Sequence, residues 1–122
     1  MSGTLDFIRE CGAFFVLSIN DCFPAGRPFG AIMEHEGDLF ISTNTSNRVH
    51  RQLRENGNMQ IVAMKAGSRC WVRVTGQAAE CHDVAMKARM MEECPGLSAH
   101  FSSPEDAHFV LFRIKVLGTE FN

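Results

Sequence analysis

At 122 residues and 13.6 kDa the chain has the length of one ordinary domain, and its 45 % apolar and 21 % charged residues exclude a disordered or collagen-like polymer. Twelve basic against 14 acidic side chains leave a net charge of −2, too balanced to point to nucleic acid or a membrane surface, and no apolar run approaches the ~20 residues of a membrane-spanning helix. Asp6, Arg9 and Glu10 interrupt Met1 to Gly12, where a signal peptide would need an unbroken apolar centre, so a cytoplasmic protein is expected.

Phe14 to Ile19, apolar and partly β-branched, predicts a strand that enters a loop through Asn20-Asp21 and Pro24-Ala25-Gly26. Pro28 to Glu36 predicts the next strand, joined through Glu36-Gly37-Asp38 to Leu39-Phe40-Ile41-Ser42 as a hairpin. From Ser46 to Asn56 the period changes: Val49 and Leu53 stand four apart, Arg48, Arg51 and Arg54 follow another line, and Asn56-Gly57 supplies a stop. That is a short amphipathic helix. Met59 to Met64 and Cys70 to Cys81 predict a second hairpin across Lys65-Ala66-Gly67-Ser68, with Trp71, Arg73 and Thr75 on one face and Val72 and Val74 on the other. Asp83 is placed to cap a helix from Val84 to Glu93, on which Ala85, Ala88 and Met91 recur at helical spacing and which Pro95-Gly96 ends. Leu97 to Ala107 reads as irregular, and Phe109 to Val116 as a last strand. The expected fold is therefore mainly β: one domain over 1–122, about six antiparallel strands with short helices, curled into a small barrel that hides its edges.

Charge is unevenly spread. From Arg27 to Arg73 there are seven basic and four acidic residues, and from Val74 to Asn122 four basic and seven acidic. Within the basic stretch, Ser42-Thr43-Asn44-Thr45-Ser46-Asn47-Arg48 leads from a strand into a helix. Free N–H groups, hydroxyls and a guanidinium at the positive end of a helix dipole make a phosphate site. Any helix start favours Ser, Thr and Asn, however, and three arginines along a helix are usually a solvated face, so this segment alone assigns no ligand. Arg27-Pro28-Phe29-Gly30 opens a strand with a cation and carries a glycine that permits close backbone approach; a loop exit with a bulge explains it equally well. Trp71, the single tryptophan, shares a face with Arg73 and belongs by default to a core or an interface. The five cysteines form no C-x-x-C pair and read as thiols in a reducing compartment. The five histidines show no metal spacing, and Met86, Met90 and Met91 read as core filling.

Taken in order, these segments resemble the pyridoxamine 5′-phosphate oxidase-like family of FMN-binding split-barrel proteins. The likeness is carried by Arg27-Pro28-Phe29-Gly30-Ala31, Leu39-Phe40-Ile41-Ser42-Thr43-Asn44, Asn47-Arg48, Gln52-Leu53-Arg54-Glu55-Asn56 and Trp71-Val72-Arg73-Val74-Thr75-Gly76. It covers nearly the whole chain and is nearest to short members grouped with nitroimidazole-resistance proteins. It implies FMN as cofactor, with Arg27, Asn47 and Arg48 on the phosphate, Thr43 and Asn44 along the ribityl chain and ring edge, and the backbone of Pro28, Phe29 and Gly30 facing the ring. It further implies a homodimer with two FMN sites between subunits, in which Trp71 or another aromatic reaches the partner's flavin. The chain departs from its relatives in two ways. Asn47 and Val49 stand where many have serine and lysine, which leaves Arg48 and Arg51 to supply charge. It also ends at Phe121-Asn122, without the arginine- and histidine-bearing segment that contacts substrate in the authentic oxidases, so oxidation of pyridoxamine phosphate is not expected. The reaction implied is electron transfer from a reduced nicotinamide through FMN to a small acceptor, with no side chain singled out as catalytic and no metal, nucleic acid or membrane involved. A non-catalytic flavin carrier and a polyanion-binding barrel that uses Arg48, Arg51 and Arg54 are the alternatives, and haem or a deazaflavin are alternative occupants.

Overall fold

Seven strands pair into one antiparallel sheet in the computed structural model, which describes residues 2–122; Met1, counted above in the N-terminal stretch, lies outside the described residues. Helix α1 spans Ser2–Cys11, followed by β1 (Phe14–Asn20), β2 (Phe23–Phe29), β3 (Ile32–His35), β4 (Asp38–Asn44) and α2 (Arg48–Glu55). Then come β5 (Asn58–Met64), β6 (Trp71–Cys81), α3 (Val84–Glu93), a 3-10 helix (Pro95–Ala99) and β7 (Phe109–Phe121). The strand order is β2-β1-β5-β6-β7-β4-β3.

The sheet curls because both of its halves fill one interior. Phe14 and Val16 of β1, Ile61 of β5 and Val72 and Val74 of β6 meet Ile32 of β3, Leu39 and Ile41 of β4, and Phe112 and Ile114 of β7 in a single buried cluster. Burying side chains of this size stabilises by roughly 1.5–3 kcal/mol each, so the curl is favoured over a flat sheet with one wet face. Leu5 and Ile8 of α1 and Val49 and Leu53 of α2 join the same cluster. The edge strands β2 and β3 follow one another in the chain yet do not pair, which leaves the barrel split between them. On the outer side of β4, Phe40 packs with Met33, Met90, Leu97, Phe101, Phe109 and Leu111 in a second cluster beneath α3 and the 3-10 helix.

The hairpin expected at Glu36-Gly37 forms, with φ of 52° and 84°, and His35 pairs with Asp38. Asp83 caps α3, its Oδ1 accepting from the Ala85 N–H at 2.9 Å and the Met86 N–H at 3.4 Å. Other expectations are corrected. The predicted loop at Pro24-Ala25-Gly26 is strand β2, which pairs with β1 from Phe14 and Phe29 to Asn20 and Phe23 after a turn at Asp21. Proline is tolerated there because an edge strand needs only one ladder. The predicted strand Pro28 to Glu36 breaks at Gly30-Ala31, where the chain leaves one edge for the other, and the described residues form seven strands, in keeping with the expected antiparallel barrel of about six. Ser2–Cys11, where the sequence pattern predicts no element, is a helix; β7 runs past Val116 to Phe121, pairing with β6 through a bulge at Thr75/Gly76. On α3 the buried residues are Lys87 and Met90 rather than Ala85, because the helix lies on the second cluster. Pro95-Gly96 ends α3 and also starts the 3-10 helix.

Gly57 is required by a close approach rather than by a left-handed cap, since the C-cap residue Asn56 is extended at φ −148°. A Cβ on Gly57 would sit 2.5 Å from the Ala78 carbonyl oxygen, beside the 2.8 Å hydrogen bond from the Ala78 N–H to the Gly57 carbonyl. Gly57→Ala should therefore lower stability by about 1–3 kcal/mol through backbone displacement, read as a shift in urea midpoint; an unchanged midpoint would show that the strands yield freely.

Candidate functional site

The split opens into a cleft of about 810 Å³. One wall is the passage from β2 to β3, Arg27 to Ile32. A polar corner follows where β4 leads into α2, with Ser42, Thr43, Asn44, Ser46 and Asn47. The facing wall is the end of α3 and the 3-10 helix, from Glu93 to Leu97, with His100, Phe101 and, from α1, Arg9.

The polar corner is held by its own side chains. Asn44 Oδ1 accepts from the Ser46 N–H at 2.9 Å and the Ser46 hydroxyl at 2.8 Å, and Asn47 Nδ2 donates to Thr43 Oγ1 at 3.1 Å. Thr45 N–H donates to the His108 carbonyl at 3.0 Å. Asn47 stands at the N-cap of α2, but its side chain makes no capping bond and the first turn holds no acid, so the helix presents N–H donors and its positive dipole end. Beneath, Ser18 Oγ donates to Gln52 Oε1 at 2.6 Å; both residues are buried, and this bond fixes α2 on β1. Arg27 reaches the cleft from the exposed edge and makes no ion pair among the described residues.

The facing wall is tied by charge. Arg9 Nη2 donates to the Ile32 carbonyl at 2.8 Å and to Glu93 Oε1 at 2.9 Å, while Arg89 Nε donates to Glu93 Oε2 at 3.0 Å. Partial burial pushes the Glu93 carboxyl up, but hydrogen bonds from Arg9 and Arg89 outweigh it and hold the group below its ordinary value. Beyond lie Leu97 and Phe101, the latter stacked on Phe109 with ring centroids 4.5 Å apart.

Of the residues expected at a cofactor, Arg27, Pro28, Phe29, Gly30, Thr43, Asn44 and Asn47 are brought together here. Arg48, Arg51 and Trp71 do not line the cleft. Arg48 is exposed as the first residue of α2, and Arg51, one turn on, meets Glu55 Oε2 at 3.3 Å. Arg54 Nε meets Glu80 Oε1 at 3.1 Å, an oxygen also 3.0 Å from His50 Nε2, so this part of the basic helix turns to β6. Trp71 begins β6 on the outer sheet face, with the Arg73 guanidinium carbon 5.0 Å from its ring, because alternation sends Val72 and Val74 inward. Sequence reasoning missed Arg9 and the wall from Glu93 to Phe101, since Met1 to Gly12 shows no marked helical pattern and Pro95-Gly96 carries only a stop signal. Among the described residues no group of three or more His, Cys, Asp or Glu could hold a metal, and no helix is long and apolar enough to cross a membrane.

Because the Glu93 carboxyl is held down in the folded chain, its pairing contributes stability above about pH 4.5 that is lost as pH falls through the lower folded value. Glu93→Gln should flatten the fall in urea midpoint on acidification below that point; equal slopes would show that the pairs contribute nothing.

The family model described as pyridoxamine 5′-phosphate oxidase matches residues 4–122. Among solved structures, a NimC/NimA family protein from Clostridium acetobutylicum is 29 % identical with a TM-score of 0.86, over all of this chain and 89 % of its own. General Stress Protein 26 from Bacillus anthracis, 15 % identical over 96 % of this chain and 88 % of its own, shares the fold at a TM-score of 0.82. So does the general stress FMN/FAD binding protein of Xanthomonas citri, 18 % identical over 96 % of this chain and 85 % of its own, at 0.76. No curated protein matches the sequence. With a family match over residues 4–122 and a mainly β split barrel beneath it, the chain belongs to the pyridoxamine 5′-phosphate oxidase family.

Proposed function

We propose that the cleft binds FMN and that the chain is an oxidoreductase passing electrons from a reduced nicotinamide to a small acceptor. The observation that carries this reading is Arg27, without an ion partner among the described residues, in one cleft with the uncapped start of α2. A dianionic phosphate calls for that combination of cation and N–H donors. The cleft volume falls within the ~300–1,000 Å³ of small-ligand sites. Family membership and the neighbour described as FMN/FAD binding support a flavin.

In this reading Arg27, Asn47 and the first N–H groups of α2 hold the phosphate, and the exposed Arg48 adds charge beside them. Thr43 and Asn44 meet the ribityl chain and ring edge. The backbone of Pro28, Phe29 and Gly30 faces the ring; a Cβ on Gly30 would meet nothing within 4 Å, so the space above it is open to a flat ligand. A bound flavin supplies the hydride-accepting and electron-donating chemistry. The chain's part is to orient the ring and shield one side of it.

A homodimer completes the proposal. Phe15 and Met64 are 52 % and 59 % exposed on the outer face of β1 and β5, where Val62 of β5 and Trp71 of the adjoining β6 also lie. Phe15 pairs with Pro28, so this apolar face adjoins the cleft wall. A second copy seated there covers the face and brings Trp71 toward the neighbouring cofactor, the role left for a residue outside its own cleft.

Purified protein should show a flavin spectrum and release FMN on heating, with the bound flavin bleached by NADH or NADPH and restored by an added acceptor. Arg27→Ala should weaken FMN by about 1.5–3 kcal/mol, the worth of a charge-assisted hydrogen bond; an unchanged Kd rejects the phosphate assignment. Sedimentation should show a dimer that Phe15→Glu converts to monomer, and a native monomer carrying FMN would rule out the shared site.

A further inference from the structure

On the wall facing Arg27, one arginine keeps unused donors. The Arg9 side chain is 39 % exposed and spends only Nη2, on the Ile32 carbonyl at 2.8 Å and Glu93 Oε1 at 2.9 Å. Of the five guanidinium N–H groups, those on Nε and Nη1 have no hydrogen-bond partner among the described residues. Glu93 does not neutralise Arg9, because its other oxygen is taken by Arg89 Nε at 3.0 Å. Two guanidiniums thus share one carboxylate, and the trio carries one net positive charge. Glu93 is also the sole acid lining the cleft among the described residues. Ile32, Leu97 and Phe101, 2 %, 8 % and 6 % exposed, are apolar residues of the same lining as Arg9.

We infer that this wall receives the acceptor, and that the acceptor is a small organic anion whose carboxylate pairs with the free donors of Arg9 while its apolar body lies against Leu97 and Phe101. One negative charge matches the single surplus positive charge, and a planar carboxylate suits a guanidinium edge. The inference rests on the flavin reading in one respect: a phosphate at the Arg27 end leaves the Arg9 end to the second ligand. Arg9 is here a specificity-determining residue that sets which acceptors enter.

The test is a ¹⁹F NMR titration of FMN-loaded protein with 4-fluorobenzoate and with 4-fluorobenzyl alcohol, which has a similar body without the charge. The benzoate should bind about tenfold or more tighter than the alcohol, and Arg9→Gln should remove that advantage. Glu93→Gln, which frees Arg9 of its competitor, should tighten the benzoate severalfold, an opposite shift that loosening of the fold would not produce. Equal binding of the two probes to FMN-loaded protein, or benzoate affinity unchanged in both variants, overturns the inference. Protein that takes up no FMN yet binds the benzoate through Arg9 overturns the flavin reading and upholds the anion site.

Discussion

The whole arrangement depends on one interior being filled from both ends of one sheet. Ile32 on the β3 edge and Phe14 and Val16 next to the β2 edge reach the same cluster, which forces the sheet to curl until its edges face each other. Hydrogen bonding between those edges would close the barrel and abolish the cleft. Pro24 and Pro28 remove donors from β2, and β3 spans only Ile32–His35, so the edges stay apart. The chain itself crosses the gap at Gly30-Ala31, and that crossing forms one wall of the cleft.

Two long-range ties hold the walls in position. The buried bond from Ser18 to Gln52 fixes α2, and with it the donors around Asn47, while the Arg9 and Glu93 pair binds α1 to the end of α3. They differ in kind. Breaking the first leaves a buried amide unsatisfied, at about 1–3 kcal/mol, whereas the second is half exposed and screened, and contributes placement and charge more than stability. The cleft accordingly has a rigid polar corner at one end and an ion-paired, apolar wall at the other, two environments suited to two ligands of different shape.

Much of the polar corner was legible along the chain because it is local. Thr43, Asn44 and Asn47 lie within one strand exit, and Arg27 to Gly30 form one tetrapeptide, so the family resemblance, carried by short contiguous motifs, picks them out where type and spacing alone assign no ligand. Arg48 and Arg51 sit in the same basic run, yet a helix turns successive residues by about 100°, and the run fans out over the surface instead of converging on the corner. Arg51 ends beside Glu55, and Arg54 beside Glu80.

Residue order is enough for the hairpin at Glu36-Gly37, the inward face of β6 and the Asp83 cap, because each rests on neighbours a few bonds apart. Tertiary structure alone made Phe23–Phe29 a strand, since its pairing with β1 overrides the loop preference of Pro24 and Gly26. It alone joined Arg9 to Glu93, 84 positions away, and so built the second wall of the cleft. No local pattern encodes that pair: its energy exists only once the curled sheet has brought α1 and the end of α3 together on one side of the gap.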